Sequence, residues 1–363
     1  MRPWSRPRGD GGGHGLRPER HPLPIPATAA ASAGHPDVYV DRSSVEPYTG
    51  SPGRADPRGA ARRVGLARVA AGYLAGVRHP PHADPRRPVR PDRRCRADPA
   101  AVPDRSAAVP DPARVAALRA DPDLAALHRS LEASYTDPGR AAAMDALYAR
   151  FLAPGDLAFD VGAHVGDRTA SFRRLAARVV AVEPQPLCQR ALRSLYGDDP
   201  RTVLVAAACG GAPGTVRLHV NSANPSVSTA SSGFVAAAGG AAGWEGQVWD
   251  TAVDVPATTL DALIAAHGPP AFTKIDVEGY EDRVLAGLSR PLPALSFEFT
   301  TIRRDVAVRC LDRLAALGRY GFDVSLGDTL ALVFGTWVTG AEMAAYVRSL
   351  PHTANSGDIY CMS

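Results

Sequence analysis

The chain has 363 residues, 41 Lys plus Arg against 37 Asp plus Glu, a formal net charge of +4 and 45% hydrophobic residues. That leaves room for one domain of ordinary size and a further segment. No run of 18 apolar residues occurs, which excludes a membrane-spanning helix, and the charged, Pro-rich beginning lacks the apolar core of a signal peptide. Five cysteines (Cys95, Cys188, Cys209, Cys310, Cys361) stand far apart without CxxC or Cys/His spacing, and no HxH or HExxH occurs. Neither a disulfide framework nor a metal site is therefore expected, and a reduced cytosol fits.

The charge is unevenly spread. Residues 1–112 hold 19 Arg against 11 acids and 19 of the 33 prolines, while the remainder has an excess of acids. Stretches such as "RPWSRPRGDGGGHG" have neither a helical nor an alternating apolar period, so residues 1–110 are expected to be a disordered basic segment. Three readings stand for it: a plain extension, a tail for an acidic surface, or translated upstream DNA not made in the cell. The last is suggested by 40 Arg beside a single Lys, a mark of GC-rich coding. The missing lysines and sparse aromatics argue against nucleic acid. "RRVGLARVAAGYLAGV", 62–77, is the one piece here with helical character.

From about residue 111 the pattern changes. Val115, Leu118, Leu124, Leu127 and Leu131 recur at helical spacing, and Asp-Pro pairs suit cap and first-turn positions, which predicts short helices before residue 150. Apolar runs follow at 157–161, 178–182, 202–206, 272–277 and 294–299, each separated by polar or helix-length stretches. Strands buried on both faces read this way, and the intervals supply crossovers. The expected fold is α/β, a doubly wound sheet behind short helices, with 111–363 as its domain.

The turn after the first run, "FDVGAHVG", is where such sheets bind ligands. Gly162 and Gly166 allow a tight turn and close approach of backbone. Glu183-Pro184 closes the next run, 23 residues after Asp160, where an acid can accept from both hydroxyls of a ribose. The glycines are four apart and led by an acid, unlike the G-x-G-x-x-G of a dinucleotide site. Asp160 would repel a pyrophosphate but suits a cation, which points to S-adenosylmethionine. A nucleotide-dependent oxidoreductase on the same fold is the alternative from another class, and a non-catalytic donor-binding relative is a further one.

"FDVGAHVGDRT", "VVAVEPQP", "NPSVSTA", "TTLDALI", "FTKIDVEGYEDRVLAGL" and "PALSFEFT", in this order, resemble the FkbM-like family of S-adenosylmethionine-dependent methyltransferases over roughly residues 137–360. The resemblance implies a Rossmann-like seven-stranded sheet with an antiparallel last strand pair, supplied by "YGFDVSLG" and "LALVFGTWV", and methyl transfer to a hydroxyl of a metabolite or sugar as the small-molecule acceptor. His164 stands where family members usually carry Asn, and both side chains can donate a hydrogen bond.

Donor contacts are thus expected from Asp160, Gly162, His164, Gly166, Glu183 and Pro184. Asp276 is expected to orient donor or acceptor and Glu278 to be the candidate base, against a reading in which Glu278 caps the following helix and Glu281 and Asp282 favour its dipole. Lys274 and Glu298 are each open between a site role and a structural pairing. Residues 221–259 form a long connection, which suggests a lid with Asn224, Ser226, Ser228 and Trp244 as acceptor contacts.

Overall fold

The structure, a computed structural model, describes residues 110–363. The basic segment and the helix expected over 62–77 lie outside the described residues. Three Asp-Pro pairs open the first elements. Asp111 caps α1 (Pro112–Ala120), Asp121 caps a 3-10 turn (Pro122–Leu127) that leads into α2 (His128–Tyr135), and Asp137 caps α3 (Pro138–Tyr148). In each case the carboxylate accepts a backbone N–H two residues on and proline takes the first helical position, where no N–H is missed. All five apolar residues expected at helical spacing are buried.

The alternating part runs β1 (Leu157–Val161), α4 (Asp167–Arg174), β2 (Arg178–Val182), α5 (Pro186–Tyr196), β3 (Thr202–Val205), β4 (Ala208–Cys209) and β5 (Gly214–Val220). It continues with α6 (Ser232–Ala238), β6 (Thr251–Thr258), α7 (Leu260–His267), β7 (Phe272–Ile275), α8 (Glu281–Ala286) and β8 (Ala294–Thr300). The chain closes with α9 (Arg304–Leu317), β9 (Gly321–Leu326), α10 (Gly340–Ser349) and β10 (Ser356–Met362).

Seven strands form one sheet in the order β3-β2-β1-β7-β8-β10-β9, with β10 antiparallel to both of its neighbours and the other pairs parallel. This is the expected Rossmann-like, doubly wound sheet, and strand order reverses between β1 and β7. The antiparallel member was misplaced by the sequence reading. "LALVFGTWV" does not form a strand, because Leu330 and Gly335 take left-handed φ values of 54° and 66° that break an extended run. It lies along the outer edge of β9 through isolated bonds such as Val333 N–H to Val324 O, 2.8 Å. A second departure is a small sheet, β4-β6-β5, built partly from the segment read as a loop.

Alternation sorts the main sheet into two faces. Phe159, Val161, Ile275, Leu295, Phe297, Val324 and Ile359 pack under α7 to α10, while Ala158, Phe272, Ala294 and Tyr360 pack under α3 to α5. The second face turns polar toward the carboxyl ends of the parallel strands. Asp160, Lys274 and Ser296 lie side by side in register there, and Glu298 pairs with Asp358 beyond them. All five are buried. No helix among the described residues is long and apolar enough to cross a membrane.

Candidate functional site

At the reversal of strand order, the backbone of the β1 turn passes against the end of β7. Gly162 has φ +83°, and a Cβ there would lie 1.7 Å from the Asp276 carbonyl oxygen. The Gly162 and Ala163 amides both donate to Val182 O, at 2.9 and 3.1 Å, which ties this turn to β2. His164 follows with φ 51°, a left-handed conformation that Asn, Asp and His adopt more readily than most residues. Either His or Asn can therefore hold this backbone conformation. His164→Asn is expected to leave the melting temperature unchanged, whereas His164→Val should lower stability by about 1–2 kcal/mol; equal melting of both variants would contradict the backbone argument.

Glu183 is held by the same turn. Its two oxygens accept from the His164 and Gln185 amides, both at 2.8 Å, and burial pushes its carboxyl up to about 7. Asp160 is 2% exposed, accepts from Thr169 Oγ1 at 2.6 Å, and is raised by burial to about 6. Gly166 starts α4, and a Cβ there would lie 2.6 Å from the Tyr196 ring, so its place in the structure is one of packing.

Two chambers meet at this turn. The first, a cleft of about 620 Å³ including its open mouth, has Glu183 and Pro184 on one wall, Ala207, Ala208 and Leu218 on another, and Tyr280 and Glu278 across from them. The second, of about 690 Å³, lies on the polar face of the sheet, with Asp160, Lys274 and Asp276 below and Ser130, Ser134 and Arg140 of the N-terminal helices above. Gly162, His164, Ser226 and Asp276 border both.

Glu278 has φ 57°, and its carbonyl accepts from Thr229 Oγ1 at 2.7 Å. It does not cap α8, whose N-cap is Tyr280 without a side-chain bond. Glu281 instead folds the loop: its carboxylate accepts from the Val277 and Gly279 amides at 3.1 and 3.2 Å, and burial raises it to about 7. Asp276, Glu278 and Glu298 bring carboxylate oxygens within 4.8 Å of one another. A divalent cation could take that spacing, and so could three acids at adjacent strand ends without one. Lys274, fully buried, contacts Asp358 and lies 3.5 Å from Asp276.

The segment read as a lid is partly regular. Phe234, Trp244 and Trp249 stack edge to face, and Phe234 presses on Gly279, where a Cβ would lie 2.6 Å from its ring. Ser226 and Ser228 line the first chamber, whereas Asn224 bonds within its own loop and Trp244 sits in the aromatic cluster. Sequence reading missed the ion-paired latch above the second chamber. Arg140 reaches Asp167 at 3.0 Å and Asp328 at 2.7 Å, and Arg168 pairs with Asp167. Its members come from three separate parts of the chain, and only Arg140's place on a helix was legible.

Fold and site together define a doubly wound domain with a cleft at its switch point. Residues 160–324 match the methyltransferase FkbM domain. No curated protein matches the chain. Among solved structures, an O-methyltransferase from Bacillus cereus in complex with SAH is 11% identical and aligns with 70% of this chain and 93% of its own, at TM-score 0.35. A TehB-like SAM-dependent methyltransferase from Corynebacterium glutamicum is 10% identical, with coverages of 70% and 100% and TM-score 0.35. The precorrin-6y C5,15-methyltransferase from Geobacter metallireducens is 11% identical, with coverages of 62% and 88% and TM-score 0.33. Likenesses at this level carry no weight for function.

Proposed function

We propose that this methyltransferase uses S-adenosylmethionine and methylates a hydroxyl oxygen of a small metabolite or sugar-containing molecule. The observation that carries the reading is buried Glu183, with both oxygens aligned by backbone amides at the wall of the first chamber. Each carboxylate oxygen has a second lone pair, which leaves accepting capacity for the two hydroxyls of a ribose. Ala207, Ala208, Leu218 and Tyr280 offer the apolar surface a nucleobase needs, and Gly162 lines the same chamber. Asp160 and Asp276 suit the ammonium of the donor's amino acid end.

When bound, S-adenosylmethionine supplies a methyl group on a sulfonium. The chain's part is to hold donor and acceptor in line and away from water, which can account for much of the rate. In this reading Asp276 orients the donor and Glu278 accepts the proton of the acceptor hydroxyl. Methyl-labelled donor incubated with hydroxylated small molecules tests it: transfer that falls at least tenfold in Glu278→Gln supports the assignment, and equal transfer removes Glu278 as base.

We further assign residues 111–363 to the methyltransferase domain and a cytoplasmic setting, which the four free, buried cysteines among the described residues suit. A chain beginning at residue 111 is expected to fold and to bind donor like the full chain. An insoluble product, or one that does not bind, would contradict that boundary.

A further inference from the structure

We propose that Lys274 and Asp358 are positioning residues that hold the Asp276 carboxylate at the donor's amino acid end, an inference that rests on the donor reading above.

Lys274 is the only lysine of the chain, against 40 arginines, and it is 0% exposed. Its ammonium lies between two carboxylates, in contact with Asp358 of β10 and 3.5 Å from Asp276 just past the end of β7. Ser296, directly opposite Lys274 on the intervening β8, is small and leaves the ammonium free to cross toward β10. A buried ion pair is a poor stabilising device, because taking both charges out of water costs about as much as their attraction returns. The pair sits instead where the second chamber is lined by Lys274, Asp276 and Asp160. Asp276 follows the last residue of β7, and its amide still donates to Val161 O at 2.9 Å, which places its backbone beside β1 but does not set the direction of its carboxylate. The ammonium therefore sets where that carboxylate points, and Asp358 sets where the ammonium sits. Asp358 lies beyond the family-matched stretch, at its partner's side only because β10 inserts between β8 and β9.

The test compares two ligands that share adenosine: S-adenosylhomocysteine, and 5′-methylthioadenosine, which lacks the amino acid end. Calorimetric affinities and melting temperatures are measured for wild type, Asp276→Asn, Lys274→Met and the double variant Lys274→Met with Asp358→Asn. Lys274→Met should lose about tenfold to a hundredfold in S-adenosylhomocysteine affinity, the range for a bond to a charged group, and none for 5′-methylthioadenosine. It should also melt lower, because Asp358 has lost its cation. Adding Asp358→Asn should restore the melting temperature but not the affinity. Recovery of both together, or equal loss for the two ligands, overturns the proposal in favour of a purely structural pair. If Asp276→Asn binds both ligands like wild type, the donor reading of Asp276 itself fails. If only the lysine variants do so, that reading stands and the positioning role fails.

Discussion

Gly162→Ala is expected to abolish donor binding and to cost roughly 3–5 kcal/mol of stability, the sum of severe overpacking and a left-handed backbone. The new methyl would lie 1.7 Å from the Asp276 carbonyl oxygen and 2.8 Å from its carbon, and both are backbone atoms that cannot rotate away. Either the β1 turn or the end of β7 must move. Moving the turn breaks the amide bonds from Gly162 and Ala163 to Val182 and drags the His164 amide off Glu183. Moving the end of β7 displaces Asp276. For a domain of this size the stability loss corresponds to a fall in melting temperature on the order of 10 °C. Gly166→Ala is a control that carries the same left-handed strain, at φ +86°, but clashes with the Tyr196 ring outside both chambers. A Gly162→Ala protein that melts and binds donor like wild type would show that the two turns are not in the contact described.

Glu183 should make donor affinity depend on pH. Its carboxyl titrates at about 7 because burial penalises the charged form, and a ribose hydroxyl is accepted best by the ionised group. Affinity should therefore fall roughly thirtyfold from pH 8 to pH 5.5. Stability should move the other way. A carboxyl raised in the folded state binds its proton more tightly there than in the unfolded chain, so its contribution is full below about pH 4.3 and is lost as pH rises through about 7. Asp160 and Glu281 are raised, to about 6 and about 7, and act in the same direction. Asp167 and Asp199 are held low, Asp167 by Arg168 and Arg140 and Asp199 by Arg173, so their stabilisation is lost only at more acid pH. Glu183→Gln should weaken donor binding by about 1.5–3 kcal/mol and flatten the pH profile of binding. Glu183→Ala is the harsher change, since it also leaves the His164 and Gln185 amides without their acceptor. A wild-type affinity that is level from pH 5.5 to 8, or a Glu183→Gln profile parallel to it, would remove this carboxylate from the ligand.

What could be read in the sequence was what lies close along the chain. Asp160, Gly162 and His164 fall in one turn, Glu183 ends the next strand, and β1, β2, β7 and β8 are apolar enough to stand out. β10 did not stand out, because Ser356, Gly357 and Asp358 interrupt its apolar character. Asp358 is tolerated inside a sheet only because Lys274 lies across β8 from it, a fact of topology rather than of local pattern. "LALVFGTWV" looked more like a strand but carries two left-handed residues. The chamber walls were hidden for the same reason. Leu218 comes from a second sheet, and Arg140 meets Asp328 across 188 residues.

The central claim, a donor cleft built on Glu183, is tested most directly by calorimetric titration of the wild-type protein with S-adenosylhomocysteine and, separately, with NAD at pH 8. The account predicts one S-adenosylhomocysteine bound per chain, with affinity that falls on acidification, and no saturable heat with NAD. Saturable binding of NAD with none of S-adenosylhomocysteine would contradict it.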